Sequence, residues 1–191
     1  MNVDDEKQLI ERVVHGDSKA FRTFVERYKR LVAHVVFRMV PNVSDREDLC
    51  QDVFVKAYEN LKDFHFQSKL STWLARIAYN TSINYLKKMR APLLDDLQPE
   101  HFSFDQLSGV SPTPIEDVED QDHAALLRRH IAALPPVFKA ILTLYHLEEM
   151  SYAEIGDSLN LPQGTVKSYL FRARKLLRER LTAQYQEEEL W

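Results

Sequence analysis

The feature that most constrains the fold is the middle of the chain, residues 91–122. This stretch holds four prolines and nine acidic residues, has no lysine or arginine, and shows little periodicity in its apolar residues. Such a composition is typical of a linker between folded parts. We therefore expect the 191 residues to form two small domains, one on each side of this stretch.

Both flanking segments have the apolar spacing of amphipathic helices, and neither shows a strand pair or hairpin signal. The chain has only 4 glycines and is rich in residues that favour helix over sheet. We predict an all-α protein with domains at residues 1–91 and 123–191, joined by an acidic flexible linker at 92–122. Helices are expected near residues 4–15, 17–40, 44–61, 71–90, 123–133, 136–147, 151–159 and 163–181. N-caps are expected at Asp17, Ser44 and Ser151, the last two within capping boxes.

Several classes of protein are disfavoured by what the sequence lacks. The single cysteine, Cys50, permits no intramolecular disulfide and no paired-cysteine zinc site. The first residues are acidic, and no apolar run approaches the roughly 20 residues of a membrane helix, so a cytoplasmic protein is expected. The seven histidines are scattered, and neither a glycine-rich phosphate loop nor a nucleophile elbow is present. We expect no enzyme, and no catalytic residues, metal, cofactor or small-molecule substrate.

The distribution of charge matters more than its sum. A net charge of −4 argues against a nucleic-acid partner. However, residues 1–90 carry 16 Lys/Arg against 12 Asp/Glu, and residues 126–191 carry 9 against 8. The negative total comes from residues 91–125, which hold nine acids and no base. Each flanking segment also holds a concentrated basic patch.

The segment 151–181 has the pattern of a helix-turn-helix, the unit that lays its second helix in a DNA major groove. Gly156 allows the two helices to approach closely, and residues 163–181 carry six Lys/Arg against one acid. Phe171 fits either a contact with a thymine methyl or a place in the core. An αα-hairpin with a solvated basic face is the alternative. The apolar packing positions are Ile155, Leu159, Leu161, Val166 and Leu170, base edges are within reach of Lys167, Ser168 and Arg172, and phosphates suit Arg174, Lys175 and Arg178.

The helix expected over residues 71–90 is a second candidate nucleic-acid surface, because no acid occurs between Asp63 and Asp95. Aromatic, amide and cationic side chains on one face are the usual means of holding unstacked single strands. The alternative is a second packing face around Ile83 and Leu86. The expected core side holds Leu70, Trp73, Leu74, Ile77, Ala78, Thr81 and Tyr85, and the expected exposed side holds Thr72, Arg76, Tyr79, Asn80, Ile83 and Lys87.

The preceding helix has the opposite character. Residues 45–63 hold six acids against three bases, and the apolar residues among them are spaced to face inward. An acidic stripe beside a basic one suggests a second partner with a basic protein surface. A solvated charged face is the plainer alternative.

These segments resemble a known family. DREDLCQDVFVKAYENLKDF followed by STWLARIAYNTSINYLKK resembles region 2 of bacterial RNA polymerase sigma factors, and SYAEIGDSLNLPQGTVKSYLFRARKLL resembles their region 4. The spacing is that of the extracytoplasmic-function (ECF) group, which lacks region 3. The resemblance covers about residues 5–90 and 123–182 and implies a dissociable specificity subunit without catalysis. It also implies promoter DNA, core RNA polymerase and an anti-sigma factor as partners, the last often membrane-anchored and holding the protein near the inner membrane.

The resemblance also implies roles for individual residues. Asp48, Gln51 and Asp52 would contact the clamp helices of the large polymerase subunit, and region 4 would contact its flap. The −10 promoter element would be opened and held as a single strand by Phe64, Lys69, Trp73, Arg76, Asn80 and Lys87. The −35 element would be read as duplex by Thr165, Lys167, Ser168, Phe171, Arg172 and Arg174.

Two positions depart from the family pattern. The loop DFHFQSKLS lacks the small glycine often found in relatives, so its base preference does not transfer. Tyr169 stands at a commonly basic position, which should alter a DNA backbone contact or the −35 preference. By analogy with the family, the linker would thread through the RNA exit path. Two rival functions remain, a stand-alone helix-turn-helix regulator and a sigma-like mimic that only titrates a regulator.

Overall fold

The computed structural model describes the backbone of residues 3–90 and 123–188, and every regular element within these two ranges is helical. This confirms the all-α prediction, while the predicted linker at 92–122 lies outside the described residues. The N-terminal half (residues 3–90) contains α1 (Val3–Val14), α2 (Ser18–Met39), α3 (Ser44–Asn60), a 3-10 turn (Leu61–Asp63) and α4 (Leu70–Arg90). The C-terminal half (residues 123–188) contains α5 (His123–Ala132), α6 (Pro136–His146), α7 (Tyr152–Leu159) and α8 (Gln163–Glu188). Among the described helices, none is both long and apolar enough to span a bilayer.

Local capping chemistry sets two helix starts as predicted and a third differently. Asp17 accepts from the backbone amides of the first turn of α2, and the reciprocal capping box of Ser151 and Glu154 begins α7. The predicted capping box at Ser44 is wrong, because Ser44 lies inside α3 and donates its hydroxyl to Asn42 Oδ1 at 2.9 Å. The Asn42 amide oxygen also accepts from the backbone N–H of Ser44 at 3.2 Å. Asn42 therefore accepts from the first amide of α3, while the N-cap position, Val43, makes no side-chain capping bond.

The N-terminal half is a bundle in which α2 and α4 pack against each other and against α3. Phe24 of α2 is fully buried, and its ring meets that of Phe54 in α3 edge to face at 6.0 Å. From α4 the core receives Leu70, Leu74, Ala75 and Ala78, all without exposed surface. Leu70, Leu74 and Ala78 match the core side predicted for this helix, whereas Ala75 was not predicted to be buried, and α4 is thereby fixed in orientation.

The C-terminal half is built around α6 and a helix-turn-helix formed by α7 and α8. Ile155 of α7 and Val166 and Leu170 of α8 are buried where the two helices cross. The turn between them is left-handed at Asn160, with φ of 55°, a conformation that asparagine tolerates better than most residues. The helix-turn-helix prediction is therefore confirmed, although α8 continues beyond the expected end near residue 181.

The two halves pack against each other, α7 on α4 and α6 on α2. Their buried apolar residues form one continuous cluster. His34 Nδ1 of α2 lies 2.5 Å from Glu148 Oε1, which follows α6. The burial of one charged group is unfavourable. The ammonium of Lys139 in α6 is nearly buried and donates to the carbonyl of Ala132 at 3.2 Å. Burial, with a smaller contribution from the cation of Arg46 in the N-terminal half, lowers the pKa of Lys139 to about 8.

Gly156 supplies a stringent test of the helix-turn-helix packing. A Cβ at this position would lie 2.7 Å from the backbone oxygen of Leu161, which cannot move without shifting the turn. We expect Gly156→Ala to lower the free energy of unfolding by about 2 kcal/mol. The matched control is Gly164→Ala in the first turn of α8, where a Cβ would meet nothing within 4 Å. This control should be neutral or stabilising by up to about 1 kcal/mol. Equal effects in denaturation followed by circular dichroism would contradict the packing.

Lys139 gives a prediction with a defined pH dependence. Its pKa is lower in the folded state, at about 8, than its ordinary value of 10.5. Between these two pH values the unfolded chain binds more protons at this site, so its contribution makes stability rise with pH. Lys139→Met should raise the free energy of unfolding at pH 7 by about 1–3 kcal/mol and flatten that rise. Denaturation at pH 7, 8.5 and 10 measures both effects, and a less stable variant at pH 7 would contradict them.

Candidate nucleic-acid interface

The predicted polymerase-facing residues form one exposed stripe on α3. Asp48, Gln51 and Asp52 lie on successive turns of this helix and are all exposed. Val55 continues the same stripe one turn further and leaves 53% of its surface exposed. Sequence reasoning passed over Val55. Its signal was the presence of an apolar residue four positions after Gln51 and three positions after Asp52.

The loop before α4 carries an aromatic cluster with one exposed member. Phe64 is buried, with its ring centroid 5.3 Å from that of Trp73 and 4.9 Å from that of Phe66. Phe66 is 43% exposed and adopts a positive φ of 56°, which is unusual for a bulky residue. Phe64 and Trp73 thus support a platform whose outer ring is Phe66. Sequence reasoning chose Phe64 instead, because two phenylalanines two positions apart cannot be told apart by pattern alone.

The predicted exposed face of α4 is only partly exposed. Arg76, Asn80 and Lys87 are exposed, as expected for residues that hold a DNA strand. Thr72 was expected on the same face but is completely buried, because α7 packs over the first turns of α4. Tyr79 is half-buried, and burial followed by the nearby phenol of Tyr169 raises its pKa to about 12. Ile83 packs partly against the core, in agreement with the packing alternative.

Arg76 and Asn80 line a cleft of about 660 Å³ between α4 and the helix-turn-helix. Its opposite wall is the end of α7 and the turn into α8, with Asp157 as the carboxylate. Lys69, at the edge of the same face, is paired across the two halves, with its Nζ 2.7 Å from Glu154 Oε1. The hydrogen bond from Lys69 is the main reason that the pKa of Glu154 falls to about 2, so this carboxylate is charged at neutral pH.

Helix α8 presents a basic side to solvent. Val166, Leu170, Ala173 and Leu177 are buried on one side, which turns the intervening residues outward. Phe171 is 69% exposed, so a place in the core is excluded for it. Thr165 is half-buried at the start of the helix. The other predicted −35 residues are all exposed: Lys167, Ser168, Phe171, Arg172 and Arg174.

Two tyrosines form a platform under the cations of α8. Tyr145 of α6 and Tyr152 of α7 stack with ring centroids 5.3 Å apart and an angle of 11°. Lys167 Nζ lies 5.6 Å from the Tyr152 centroid, and the Arg174 guanidinium lies 5.1 Å from that of Tyr145. Each cation–π contact contributes about 0.5–1 kcal/mol at an exposed site. The platform fixes two of the predicted DNA contacts in direction, and sequence reasoning missed it because its tyrosines lie on separate helices.

His146 is a second side chain that positions Arg174. Its Nε2 lies 3.1 Å from an Arg174 guanidinium nitrogen, which can only donate. Burial and then the charge of Arg174 lower the pKa of His146 below its ordinary value. The imidazole is therefore neutral at pH 7 and accepts through Nε2. It orients the guanidinium without adding a competing cation.

Known protein families match both halves. The sigma-70 region 2 family matches residues 24–91, and the sigma-70 region 4 family matches residues 124–177. An ECF RNA polymerase sigma factor of Bacillus subtilis, SigW, is 32% identical over 179 residues, covering 92% of this chain and 96% of that protein. The ECF RNA polymerase sigma-E factor of Escherichia coli K12 is 38% identical over 177 residues, covering 88% of this chain and 90% of that protein.

Solved structures agree at the level of the fold. The sigma factor RpoE of Bartonella quintana, solved with the anti-sigma factor NepR, gives a TM-score of 0.64 at 22% identity and covers 86% of this chain and 98% of its own. CnrH, solved with the cytosolic domain of CnrY, gives a TM-score of 0.63 at 23% identity. The match covers 92% of this chain and 96% of the CnrH chain. The two matched regions follow each other along the chain as region 2 and region 4, and the structure shows an exposed basic helix and an acidic stripe. Together with the identity to ECF relatives, these findings show that the chain belongs to the ECF family of RNA polymerase sigma factors.

Proposed function

We propose that this protein is a non-catalytic specificity subunit that brings core RNA polymerase to promoters through three separate surfaces. The observation that carries this proposal is the separation of charge on the described surface. The α8 side that carries Lys167 and Arg172 is basic, whereas the α3 stripe of Asp48 and Asp52 is acidic. A subunit that bridges DNA and a basic protein surface needs both.

The −35 element is assigned to α8. Lys167 and Arg174 are held over the tyrosine platform, so that their charges are pre-oriented toward the duplex. The exposed guanidinium of Arg172 is a group that can donate two bonds to one guanine edge, and exposed Phe171 is suited to a thymine methyl. Ser168 donates its hydroxyl to the carbonyl of Gly164 at 3.0 Å, which leaves its oxygen as an acceptor.

The −10 element is assigned to α4 and the loop before it. Asn80 and Arg76 lie together in the cleft, where an amide suits a base edge and a guanidinium suits the strand backbone. Lys87 extends the cationic side toward the end of α4. Phe66, supported by Phe64 and Trp73, is the ring on which an unstacked base would rest.

Core polymerase is assigned to α3. Asp48 and Asp52 suit a basic helical surface such as the clamp helices, and Val55 adds an apolar contact at the end of the stripe. The flap would meet the C-terminal half. The domain limits we propose are residues 1–91 and 123–191, with 92–122 as the linker.

An anti-sigma factor is the proposed regulator. Two similar solved proteins were determined with such a partner or with a cytosolic domain, which supports this assignment. A membrane-anchored factor would hold this protein in the cytoplasm, close to the inner membrane.

Reconstitution with core polymerase tests the proposal directly. The purified protein should support specific transcription from promoter fragments that core polymerase alone does not transcribe. Asn80→Ala should reduce strand opening, measured by permanganate reactivity, by about tenfold or more while leaving polymerase binding within twofold. Equal loss of opening and polymerase binding would contradict the role of Asn80. Tight duplex binding by the protein alone, without initiation on any fragment, would instead indicate a stand-alone regulator.

The role of α8 in sequence readout is tested by two arginines. Arg172→Ala should weaken binding to a cognate −35 duplex by about 1–3 kcal/mol and relax the preference at one base pair. The matched control is Arg178→Ala, an exposed cation further along α8 that is suited to phosphate. Its loss should weaken all sequences uniformly and reduce the salt dependence of binding. Competition with a set of single-base variants separates the two patterns, and identical patterns would refute the readout by Arg172.

A further inference from the structure

The last two residues of α6, Tyr145 and His146, lie beside the basic side of α8 and belong to none of the three surfaces assigned above. We propose that they are positioning residues for −35 recognition. They act through Arg174, which they hold in one orientation, and they link Arg174 to Lys167 through stacked rings. This inference rests on the proposed function, since it concerns the surface assigned there to the −35 element.

Two neutral groups hold Arg174 from different directions. Its guanidinium carbon lies 5.1 Å from the centroid of the Tyr145 ring, and its Nη2 lies 3.1 Å from His146 Nε2. The rings of Tyr145 and His146 meet edge to face, with centroids 5.0 Å apart and an angle of 82°. A guanidinium can only donate hydrogen bonds, so His146 Nε2 is the acceptor. The ring contact limits how far the guanidinium can move from Tyr145, and the hydrogen bond limits its rotation.

The support under Arg174 is rigid because α6 is anchored in the core. Phe138, Ile141 and Leu144 of this helix have almost no exposed surface. Tyr145 and His146 follow Leu144 directly, so their backbone is held in place by the same packing. An arginine that rests on them is therefore placed relative to the core and not only relative to its own helix.

Stacked tyrosines extend this network to the first turns of α8. Tyr145 stacks on Tyr152 of α7 with centroids 5.3 Å apart, and Lys167 Nζ lies 5.6 Å from the Tyr152 centroid. Lys167 and Arg174 are seven positions apart on α8, which is about two helical turns. A cation assigned to base edges and a cation assigned to phosphate thus rest on one pair of rings.

The network holds Arg174 without neutralising it, as a DNA contact requires. The next residue, Lys175, shows the other arrangement, because its Nζ lies 3.7 Å from Glu179 Oε1 and a carboxylate offsets its charge. Arg174 instead has a ring face and an imidazole whose pKa is lowered by burial and by the charge of Arg174. An exposed arginine ordinarily loses rotamer freedom when it binds a partner. Holding Arg174 in advance reduces that cost at the moment of binding.

Paired substitutions test the proposal, each severe change with a conservative partner. His146→Leu removes the acceptor, whereas His146→Gln places an amide oxygen near the position of Nε2. Tyr145→Leu removes the ring face, whereas Tyr145→Phe keeps it. All variants remain full-length, their folding is checked by circular dichroism, and their affinity for a −35 duplex is measured by fluorescence anisotropy.

We expect His146→Leu and Tyr145→Leu each to weaken duplex binding by about three- to tenfold, because DNA binding must then order the long side chain of Arg174. His146→Gln and Tyr145→Phe should bind within about twofold of the wild type, since the acceptor and the ring face remain. If the conservative variants lose as much affinity as the severe ones, the inference is overturned.

Two arginine and lysine backgrounds show whether the effect passes through Arg174. In Arg174→Ala, adding His146→Leu should cost less than a further twofold or so, because the group that His146 positions is gone. Lys175→Ala is the matched background, since it removes the neighbouring cation, which pairs with Glu179. There, His146→Leu should keep its full effect of about three- to tenfold. Equal effects in the two backgrounds would contradict a positioning role.

Nitrogen-15 NMR of the imidazole reports the arrangement without any DNA. An imidazole that accepts through Nε2 carries its proton on Nδ1, so the His146 shifts should show that tautomer and should change in Arg174→Ala. A proton on Nε2 in the wild type would overturn the inference. Failure of the proposed function has a different signature, because then no variant initiates transcription with core polymerase while the coupling of His146 to Arg174 in duplex binding persists.

Discussion

The packing of α4 is the constraint on which the rest of the structure depends. This helix cannot rotate within its bundle, because one of its sides is completely buried: Leu70, Leu74, Ala75 and Ala78. The fixed rotation directs Arg76 and Asn80 outward, one helical turn apart. It also leaves Thr72 facing away from the bundle, where α7 covers it. One apolar face thus determines both where a single strand would be held and where the C-terminal half can dock.

Electrostatics then distinguishes the surfaces that the apolar packing has positioned. The α4 face contains no carboxylate of its own. Glu154, which pairs with Lys69, and Asp157, which lines the cleft opposite Arg76, both belong to α7. The cation of Lys69 is therefore paired with a carboxylate from the other half of the protein. On α8, the tyrosine platform and neutral His146 hold cations without neutralising them, so that side stays available to an anion. On α8 the acid that pairs with a cation is Glu179, whose Oε1 lies 3.7 Å from Lys175 Nζ, whereas Lys167 and Arg174 lie over the tyrosine rings.

Sequence reasoning succeeded where the cause of structure is local. The caps at Asp17 and Ser151, the left-handed Asn160 and the apolar seam of the helix-turn-helix all follow from residues within a few positions of one another. The Ser44 cap was wrong because Asn42, two residues upstream, accepts from both the hydroxyl and the backbone N–H of Ser44. Thr72 was misplaced for a different reason. Its burial depends on a helix more than 80 residues later, and no periodicity within α4 carries that information. Buried Lys139 and the choice between Phe64 and Phe66 depend in the same way on contacts that only the fold creates.

Tyr169 shows why a departure from a family pattern needs the structure to interpret it. Judged from the sequence alone, this tyrosine replaces a basic side chain at a position that is expected to face DNA. In the structure its ring packs edge to face on Phe138 at 5.5 Å and lies beside Tyr79 of α4. A lysine or arginine there would have to bury a charge between the halves or turn away and leave a gap, and either would weaken the contact. The tyrosine is therefore explained by packing, against Phe138 within the C-terminal half and beside Tyr79 of α4.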